Sequence, residues 1–379
     1  MNILVVAHYQ NDGSPSAIFI HDQVKAYAAL GHTVRVIVPV AFGKRSYRGK
    51  KRFSAASAVI DNIPHFFVRY LSLSHYGAGG FNTRRAIAAI ERKYGTLFAD
   101  FTPDVIHAHT LGFDSGIGAW LKERLHCPLV VTTHGSDAFI PYEQGRLKWF
   151  RQQCDRADQV VAVSSVLANK VRASETTTPV CTILNGFAIG NLQADITKQA
   201  SAMLQVGHLQ PQKRQTVTLQ AFAALRQTYP DMTLTLIGQG PERAHLESLC
   251  TSLHIADAVR FTGQISNKDV LAEMAKAQFF CMPSVREGFG IVYPEAMACG
   301  CITIGTQGEG IADLIENGKN GFLVPPDDPD AIAEVIEWCL SHPEEAAAIA
   351  ERGRKDAMAL TWERNAEQYI DLFQSLTEK

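Results

Sequence analysis

Short apolar runs alternate with longer segments of helical periodicity along the whole chain. Residues 3–7 form the first run, and after a polar loop Ile20, Val24, Tyr27 and Ala28 fall on one face of a helix. Apolar runs of this length are typical of buried strands, and strands that alternate with helices form parallel sheets covered on both faces. The pattern therefore predicts an α/β protein with doubly wound parallel sheets.

The predicted strands fall into two sets, separated by a polar stretch at residues 188–202. The first set comprises residues 3–7, 34–38, 105–109, 129–133 and 159–163, and the second comprises residues 203–206, 234–237, 259–261, 279–282 and 302–304. We expect two Rossmann-like domains, 1–188 and 189–360, and a final helix in 361–379 that crosses back to the first domain. Sheets of this type bind ligands outside the carboxyl ends of their strands, so the ligand site is expected in a cleft between the domains.

The composition is that of an ordinary globular protein. The chain has 379 residues, of which 46% are hydrophobic and 20% charged, and its formal net charge of -2 gives no global attraction to nucleic acid or membrane. Its first residues lack a secretory signal pattern, and its apolar runs are far shorter than the ~18 residues that span a bilayer. The eight cysteines lack CxxC spacing and are expected to be reduced thiols of a cytoplasmic protein.

A basic run between Lys44 and Arg52 contains six cations. Charge runs are usually solvated loops, but this run also fits an anionic membrane or a polyanionic acceptor, since each cation near anionic lipid contributes ~1 kcal/mol. No recognised nucleic-acid-binding module accompanies the run, so nucleic acid is not an expected partner. A solvated loop and peripheral binding to the inner face of the cell membrane both remain open.

A glycine-rich turn between two carboxylates carries the most chemical information. Glu287 precedes Gly288 and Gly290, and Glu295 follows in the first turn of a predicted helix that also contains Pro294. Free backbone N–H groups and the positive end of the helix dipole form an anion site suited to a diphosphate, and carboxylates accept hydrogen bonds from sugar hydroxyls. The alternative is that Glu295 only complements the helix dipole and that Glu287 is a solvated loop residue.

This turn resembles the Glu-x7-Glu signature of the family 4 retaining glycosyltransferases, which have the GT-B fold. Further matches to the family's motifs follow the expected order along nearly the whole chain: residues 103–109, 128–137, 185–186, 238–241, 259–263 and 317–324. The resemblance implies that the first domain binds the acceptor and that the second binds a nucleotide-sugar donor.

The resemblance also implies roles for individual residues. Glu295 matches the residue that holds the donor ribose, and Glu287 matches the residue that contacts the transferred sugar. Lys213 matches the lysine that pairs with the diphosphate, and His134 matches a histidine beside the sugar, so these two join Glu287 as the expected catalytic residues. The expected donor contacts come from Gly13, His208, Lys213, Arg214, Gln264, Ile265, Glu287, Gly288, Phe289, Gly290, Ile291 and Glu295.

The chain departs from the family pattern at several positions. His208 stands where the family has a phosphate-binding arginine, and Arg214 replaces the last glycine of the same motif. The first loop lacks the paired glycines that accompany Gly13 in the family pattern, and no aspartate follows the pair Asn185 and Gly186.

From the resemblance we predict transfer of a sugar, with retention, from a UDP-sugar or a GDP-sugar to a saccharide or lipid-linked acceptor. UDP is favoured because it is the more frequent donor nucleotide in the family. A front-face reaction is expected, with no metal cofactor, because Lys213 and helix termini neutralise the departing diphosphate. The alternatives are a nucleotide-sugar epimerase and a non-catalytic nucleotide-sugar-binding subunit, for which the substitution at His208 is the best argument.

Two further groups of residues resemble metal sites only superficially. His107 and His109 flank Ala108 on a predicted strand without a third ligand, so we expect core histidines. The acidic run at residues 327–330 precedes a predicted helix, where such residues act as caps.

Overall fold

The structure is a computed structural model that describes residues 1–8, 18–42, 57–72, 80–188 and 198–378. Its contacts divide the chain into two compact units. The first unit comprises Met1–Gly186 and Thr361–Lys379, and the second comprises Phe187–Leu360.

The first unit contains an eight-stranded sheet. Its strands are β1 (Asn2–Val6), β2 (Thr33–Phe42), β3 (Ser57–Ile60), β4 (Ile63–Leu71), β5 (Val105–His109), β6 (Leu129–Thr133), β7 (Gln159–Ala162) and β8 (Val180–Thr182). They lie in the order β3-β4-β2-β1-β5-β6-β7-β8, and every pair is parallel except β3 with β4. The strand order reverses between β1 and β5, which is where doubly wound sheets bind ligands.

The antiparallel pair at the edge of this sheet was not predicted. Asp61 and Asn62 connect the two strands, and both have positive φ (49° and 63°), as a two-residue hairpin turn requires. Strand β3 is half exposed along its length, so it has no continuous apolar run to reveal it.

Helices cover the first sheet. They are α1 (Ile18–Ala29), α2 (Gly80–Glu91), α3 (Tyr94–Phe98), α4 (Phe113–Leu125), α5 (Ser136–Glu143), α6 (Leu147–Cys154) and α7 (Ser165–Arg172).

The second unit contains a six-stranded, wholly parallel sheet. Its strands are β9 (Gln199–Val206), β10 (Thr233–Ile237), β11 (Val259–Gly263), β12 (Ala277–Cys281), β13 (Ile302–Thr306) and β14 (Phe322–Val324), in the order β11-β10-β9-β12-β13-β14. Its helices are α8 (Gln215–Thr228), α9 (Arg243–Ser252), α10 (Asn267–Lys276), α11 (Val292–Ala298), α12 (Pro329–Ser341) and α13 (Pro343–Met358), with 3-10 turns at Pro211–Lys213 and Gly310–Asp313. The strand order reverses between β9 and β12, so the ends of these two strands mark the expected ligand position.

The last helix, α14 (Trp362–Thr377), packs within the first unit. Its apolar face buries Tyr369 and Phe373 almost completely, and the Asn365 side chain accepts a 2.7 Å hydrogen bond from Gln23 in α1. The chain passes close to itself at Gly186, where an added Cβ would lie 2.6 Å from the backbone nitrogen of Trp362. Only glycine fits there, which gives a steric reason for the Asn-Gly motif.

The predicted α/β fold class is confirmed, because each unit is a helix-covered sheet that is parallel apart from the pair of β3 with β4. All eight cysteines are free thiols. Among the described residues, no helix has the length and apolar character needed to cross a bilayer.

Candidate active site

Lys213 and Glu287 meet in the second unit at the reversal of strand order. Lys213 ends the 3-10 turn that follows β9, and Glu287 lies in the loop that follows β12. The Lys213 ammonium donates a hydrogen bond to the Glu287 carboxylate, and each side chain is only 18% exposed. The Glu287 N–H donates in turn to the Glu309 carboxylate at 2.8 Å, which holds the loop. A half-buried cation at this position can pair with an anionic ligand.

The backbone conformation of Arg214 explains why the family motif has a glycine at this position. Its φ is 52°, in the left-handed region that glycine adopts without steric cost. Its guanidinium donates to the Asp327 carboxylate at 3.2 Å and to the Pro211 carbonyl at 3.0 Å. The Arg214 side chain is therefore tied to the acidic run. The next residue, Asp328, caps α12 by accepting from the Ala331 N–H at 3.0 Å, which confirms the predicted capping role.

Three polar side chains follow one another across the ends of β9, β10 and β11. The His208 imidazole lies with Nδ1 3.2 Å from the Gln239 carbonyl oxygen. The Gln239 amide donates to the Gln264 side-chain oxygen at 2.8 Å. Ile265, the next residue, packs against the apolar cluster that contains Ile237. These ends carry hydrogen-bonding groups beside an apolar surface, a combination suited to a nucleobase.

The glycine-rich turn leads into α11 as predicted. Gly290 has φ 78°, and an added Cβ would lie 2.7 Å from the Tyr293 ring and 3.1 Å from the Glu287 side chain. Phe289 is buried, whereas Glu295 is half-buried in the first turn of the helix. The Tyr293 hydroxyl donates to the Met282 carbonyl at 2.5 Å, which anchors the turn to the end of β12. Gly288 and Ile291 complete the connection between the two carboxylates.

His134 lies in the first unit, directly after β6. Its ring stacks on the His109 ring at 5.3 Å and 12°, and His134 Nε2 is 3.1 Å from His109 Nδ1. Burial lowers the pKa of His134 to about 4, so the imidazole is neutral at pH 7. The Asp137 carboxylate accepts from the backbone N–H groups of His134, Gly135 and Leu111 at 2.9–3.1 Å. A neutral His134 does not supply a charge.

His107 and His109 are core histidines, as predicted. Both are fully buried, and burial lowers the pKa of His107 to about 3 and that of His109 well below its usual range. His107 Nε2 lies 2.8 Å from the Thr132 hydroxyl and Nδ1 lies 3.2 Å from the Tyr27 hydroxyl. Within the described part of the chain, no group of three or more His, Cys, Asp or Glu side chains is placed to hold a metal ion.

Sequence reasoning missed a histidine–aspartate pair at the strand-order reversal of the first unit. His8 follows β1, and its Nδ1 contacts the carboxylate of Asp114 in α4. Asp114 is completely buried and also accepts from the Thr110 hydroxyl at 2.9 Å. The sequence did contain a signal, namely a histidine directly after the first apolar strand. The predicted strand ended at residue 7, one position before it.

Two sequence predictions lie outside the described residues. They concern Gly13 in the first loop and the basic run between Lys44 and Arg52.

Two family models together match nearly the whole chain. "Glycosyltransferase Family 4" matches residues 16–189, and "Glycosyl transferases group 1" matches residues 193–356. An uncharacterised glycosyltransferase of Methanocaldococcus jannaschii is 28% identical over 69% of this chain and 72% of its own.

Solved structures share the fold. Sucrose-phosphate synthase of Thermosynechococcus elongatus superposes with a TM-score of 0.77 at 22% identity, over 99% of this chain and 98% of its own. Anabaena HepE, solved with UDP and glucose, superposes with a TM-score of 0.74 at 21% identity, over 99% of this chain and all of its own. This chain belongs to family 4 of the retaining glycosyltransferases, the glycosyl transferases group 1, and is a nucleotide-sugar glycosyltransferase with the GT-B fold.

Proposed function

We propose that this glycosyltransferase takes its sugar from a UDP-sugar held by the second unit and transfers it to a hydroxyl of a saccharide or lipid-linked acceptor. The observation that carries the proposal is the contact between Lys213 and Glu287 at the reversal of strand order. It joins a cation for the diphosphate to a carboxylate for the sugar hydroxyls, and both side chains are largely shielded from water.

The nucleoside end of the donor is assigned to the neighbouring strand ends. Gln264 offers hydrogen bonds and Ile265 an apolar surface for the base, and Glu295 accepts from the ribose hydroxyls. UDP is favoured over GDP because family 4 enzymes use it more often. The fold neighbour HepE, which was solved with UDP and glucose, is consistent with this choice.

The proposed reaction breaks the bond between the anomeric carbon and the diphosphate oxygen. The acceptor oxygen forms its bond to that carbon on the same face, and the acceptor proton passes to the departing phosphate oxygen. Lys213 stabilises the charge that develops on the diphosphate, and the backbone N–H groups of the turn at residues 288–291 are assigned to the same charge. Catalysis then depends on positioning and charge stabilisation, and Lys213 supplies the charge that a metal ion supplies in other glycosyltransferases.

His134 is assigned to the sugar as a neutral hydrogen-bonding partner. Its low pKa keeps it uncharged at pH 7, so it contributes orientation and no repulsion to the positive charge that develops on the sugar ring. The basic run between Lys44 and Arg52 is assigned to an anionic membrane surface, which places the enzyme on the cytoplasmic face beside lipid-linked acceptors.

Calorimetric titration of the full chain with UDP, GDP and their glucose and mannose conjugates tests the donor assignment. We expect UDP and UDP-sugars to bind without added metal, and GDP to bind at least about tenfold more weakly. Stronger binding of GDP would replace the nucleotide in the proposal, and binding of neither nucleotide would contradict the donor site itself.

A further inference from the structure

A cavity of about 400 Å³ lies in the first unit between α2, α4 and α6. Each helix contributes side chains at helical spacing, and the walls combine two tryptophans, Trp120 and Trp149, with the charged groups Arg84, Arg156 and Glu123. Its volume is within the usual range for a small-molecule site. Lys213 and residues 287–295, to which we assign the donor, all belong to the second unit. None of them lines this cavity.

The backbone of the cavity is built closely around small residues. An added Cβ at Gly116 would lie 2.8 Å from the Thr83 methyl group, and an added Cβ at Gly112 would lie 3.1 Å from the Trp149 ring. Larger residues at these positions would push α2 away from α4 or displace the indole. The glycines therefore let the helices approach each other while an aromatic ring remains at the cavity wall.

The side chains at the rim favour an anionic ligand. Arg84 and Arg156 bring two guanidinium groups to the cavity against the single carboxylate of Glu123, a balance of one positive charge. Arg156 donates to the Gln153 amide oxygen at 3.1 Å, which directs the guanidinium towards Gly116. In the parts of the chain that are described, neither arginine forms an ion pair. Guanidinium groups bind carboxylate, sulfate and phosphate oxygens in pairs.

We propose that this cavity binds an acidic residue of the acceptor glycan. The C–H face of a pyranose packs on an indole, the hydroxyls exchange hydrogen bonds with Gln152 and Glu123, and the acidic group pairs with Arg84 and Arg156. This inference rests on the proposed function, because it identifies the acceptor as an acidic oligosaccharide.

Binding of defined tetrasaccharides to the full chain, without donor, tests the proposal. The probes are tetragalacturonate, which carries carboxylates, a chondroitin sulfate tetrasaccharide, which adds sulfates, and the neutral maltotetraose. Titrations are followed by calorimetry and by tryptophan fluorescence, since two of the four tryptophans line the cavity. We expect at least one acidic probe to bind at least about tenfold more tightly than maltotetraose, and its affinity to fall with added salt. The stronger acidic probe identifies the anionic group. Equal affinity for acidic and neutral probes, or no binding of any, would overturn the proposal.

Variants locate the binding site. Arg84→Gln and Arg156→Gln should each weaken binding of the acidic probe by about tenfold. Arg92 is an exposed arginine outside the cavity, so Arg92→Gln should leave this affinity unchanged. Ala119→Trp fills the cavity without removing a polar group and should abolish binding. Unchanged affinity in Arg84→Gln, Arg156→Gln and Ala119→Trp would reject the site. UDP affinity is measured on the same samples and tests the donor site. The donor site and the acidic-glycan cavity are therefore tested independently, and either can fail without the other.

Discussion

The Lys213 ammonium contacts the Glu287 carboxylate, although 74 positions separate the two residues in the sequence. The contact joins the turn after β9 to the loop after β12. In the proposed donor complex the diphosphate would compete with Glu287 for Lys213, so we expect opposite effects on nucleotide binding when the two residues are replaced.

Substitution of the pair should therefore separate nucleotide binding from transfer. Lys213→Ala removes a charged hydrogen-bond donor and should weaken UDP binding by about tenfold or more, and turnover as well. Glu287→Gln should preserve or tighten UDP binding, because Lys213 loses its intramolecular anion, while transfer falls. Glu295→Ala should weaken UDP itself. Calorimetry with UDP and a transfer assay measure these effects, with the exposed Lys355→Ala as control. Insensitivity of UDP binding to both Lys213→Ala and Glu295→Ala would refute the donor site.

The backbone at residue 214 provides a test that concerns stability alone. Arg214 has φ 52°, so Arg214→Gly and Arg214→Ala both lose the ion pair with Asp327 but differ in backbone strain. The glycine variant should unfold with a free energy about 1 kcal/mol greater than the alanine variant, because alanine resists this conformation. Urea denaturation of the two variants measures the difference, and equal midpoints would contradict the assigned conformation.

The sequence predicted those elements whose evidence is local. Strands β5 and β6 were predicted with their observed bounds, because they are buried at every position and each begins with consecutive apolar residues. The edge strands β3 and β8 were missed, since partial exposure breaks up their pattern. The turn at residues 287–295 was recognised from its motif, whereas the pairing of His8 with Asp114 joins the residues after β1 to helix α4, which only the folded sheet brings together.

Burial of His107 predicts a loss of stability in acid. The folded-state pKa is about 3, below the usual value of about 6.5, so between these values the unfolded chain binds a proton that the folded chain does not. Stability from this residue is complete above pH 6.5 and falls by up to ~1.4 kcal/mol per pH unit as the pH decreases towards 3. Urea denaturation between pH 7 and pH 5 should show a shallower decline for His107→Gln than for the wild type. Parallel declines would contradict the prediction. His245→Gln, an exposed histidine, is the control.

The basic run gives a prediction about membranes. If the segment between Lys44 and Arg52 binds anionic lipid, sedimentation with phosphatidylglycerol vesicles should decrease as salt rises from about 50 to 500 mM. Replacing its six cations with serine should remove vesicle binding and leave UDP affinity unchanged. Equal sedimentation of the wild type and the serine variant would contradict membrane binding and indicate a solvated loop.

His208 replaces a permanently charged arginine of the family motif, so donor affinity should depend on pH. Its Nδ1 lies 3.2 Å from the Gln239 carbonyl oxygen, an arrangement in which Nδ1 donates and Nε2 is left to accept a proton. A diphosphate bound beside this imidazole would favour its charged form, so we expect donor binding to take up protons. Affinity for UDP should therefore rise as the pH falls from about 8 to 6.

Three variants decide between His208 and Arg214 as the second cation of the donor site. His208→Arg should flatten the pH dependence and tighten UDP binding at pH 8, because arginine stays charged. His208→Ala should remove the slope, whereas His245→Ala should retain it. The competing account is that Arg214, despite its contact with Asp327, supplies the charge. In that case Arg214→Ala weakens binding more than His208→Ala does, and the slope survives in His208→Ala. Dissociation constants for UDP across this pH range distinguish the two accounts, because the pH dependence requires the His208 side chain only in the first.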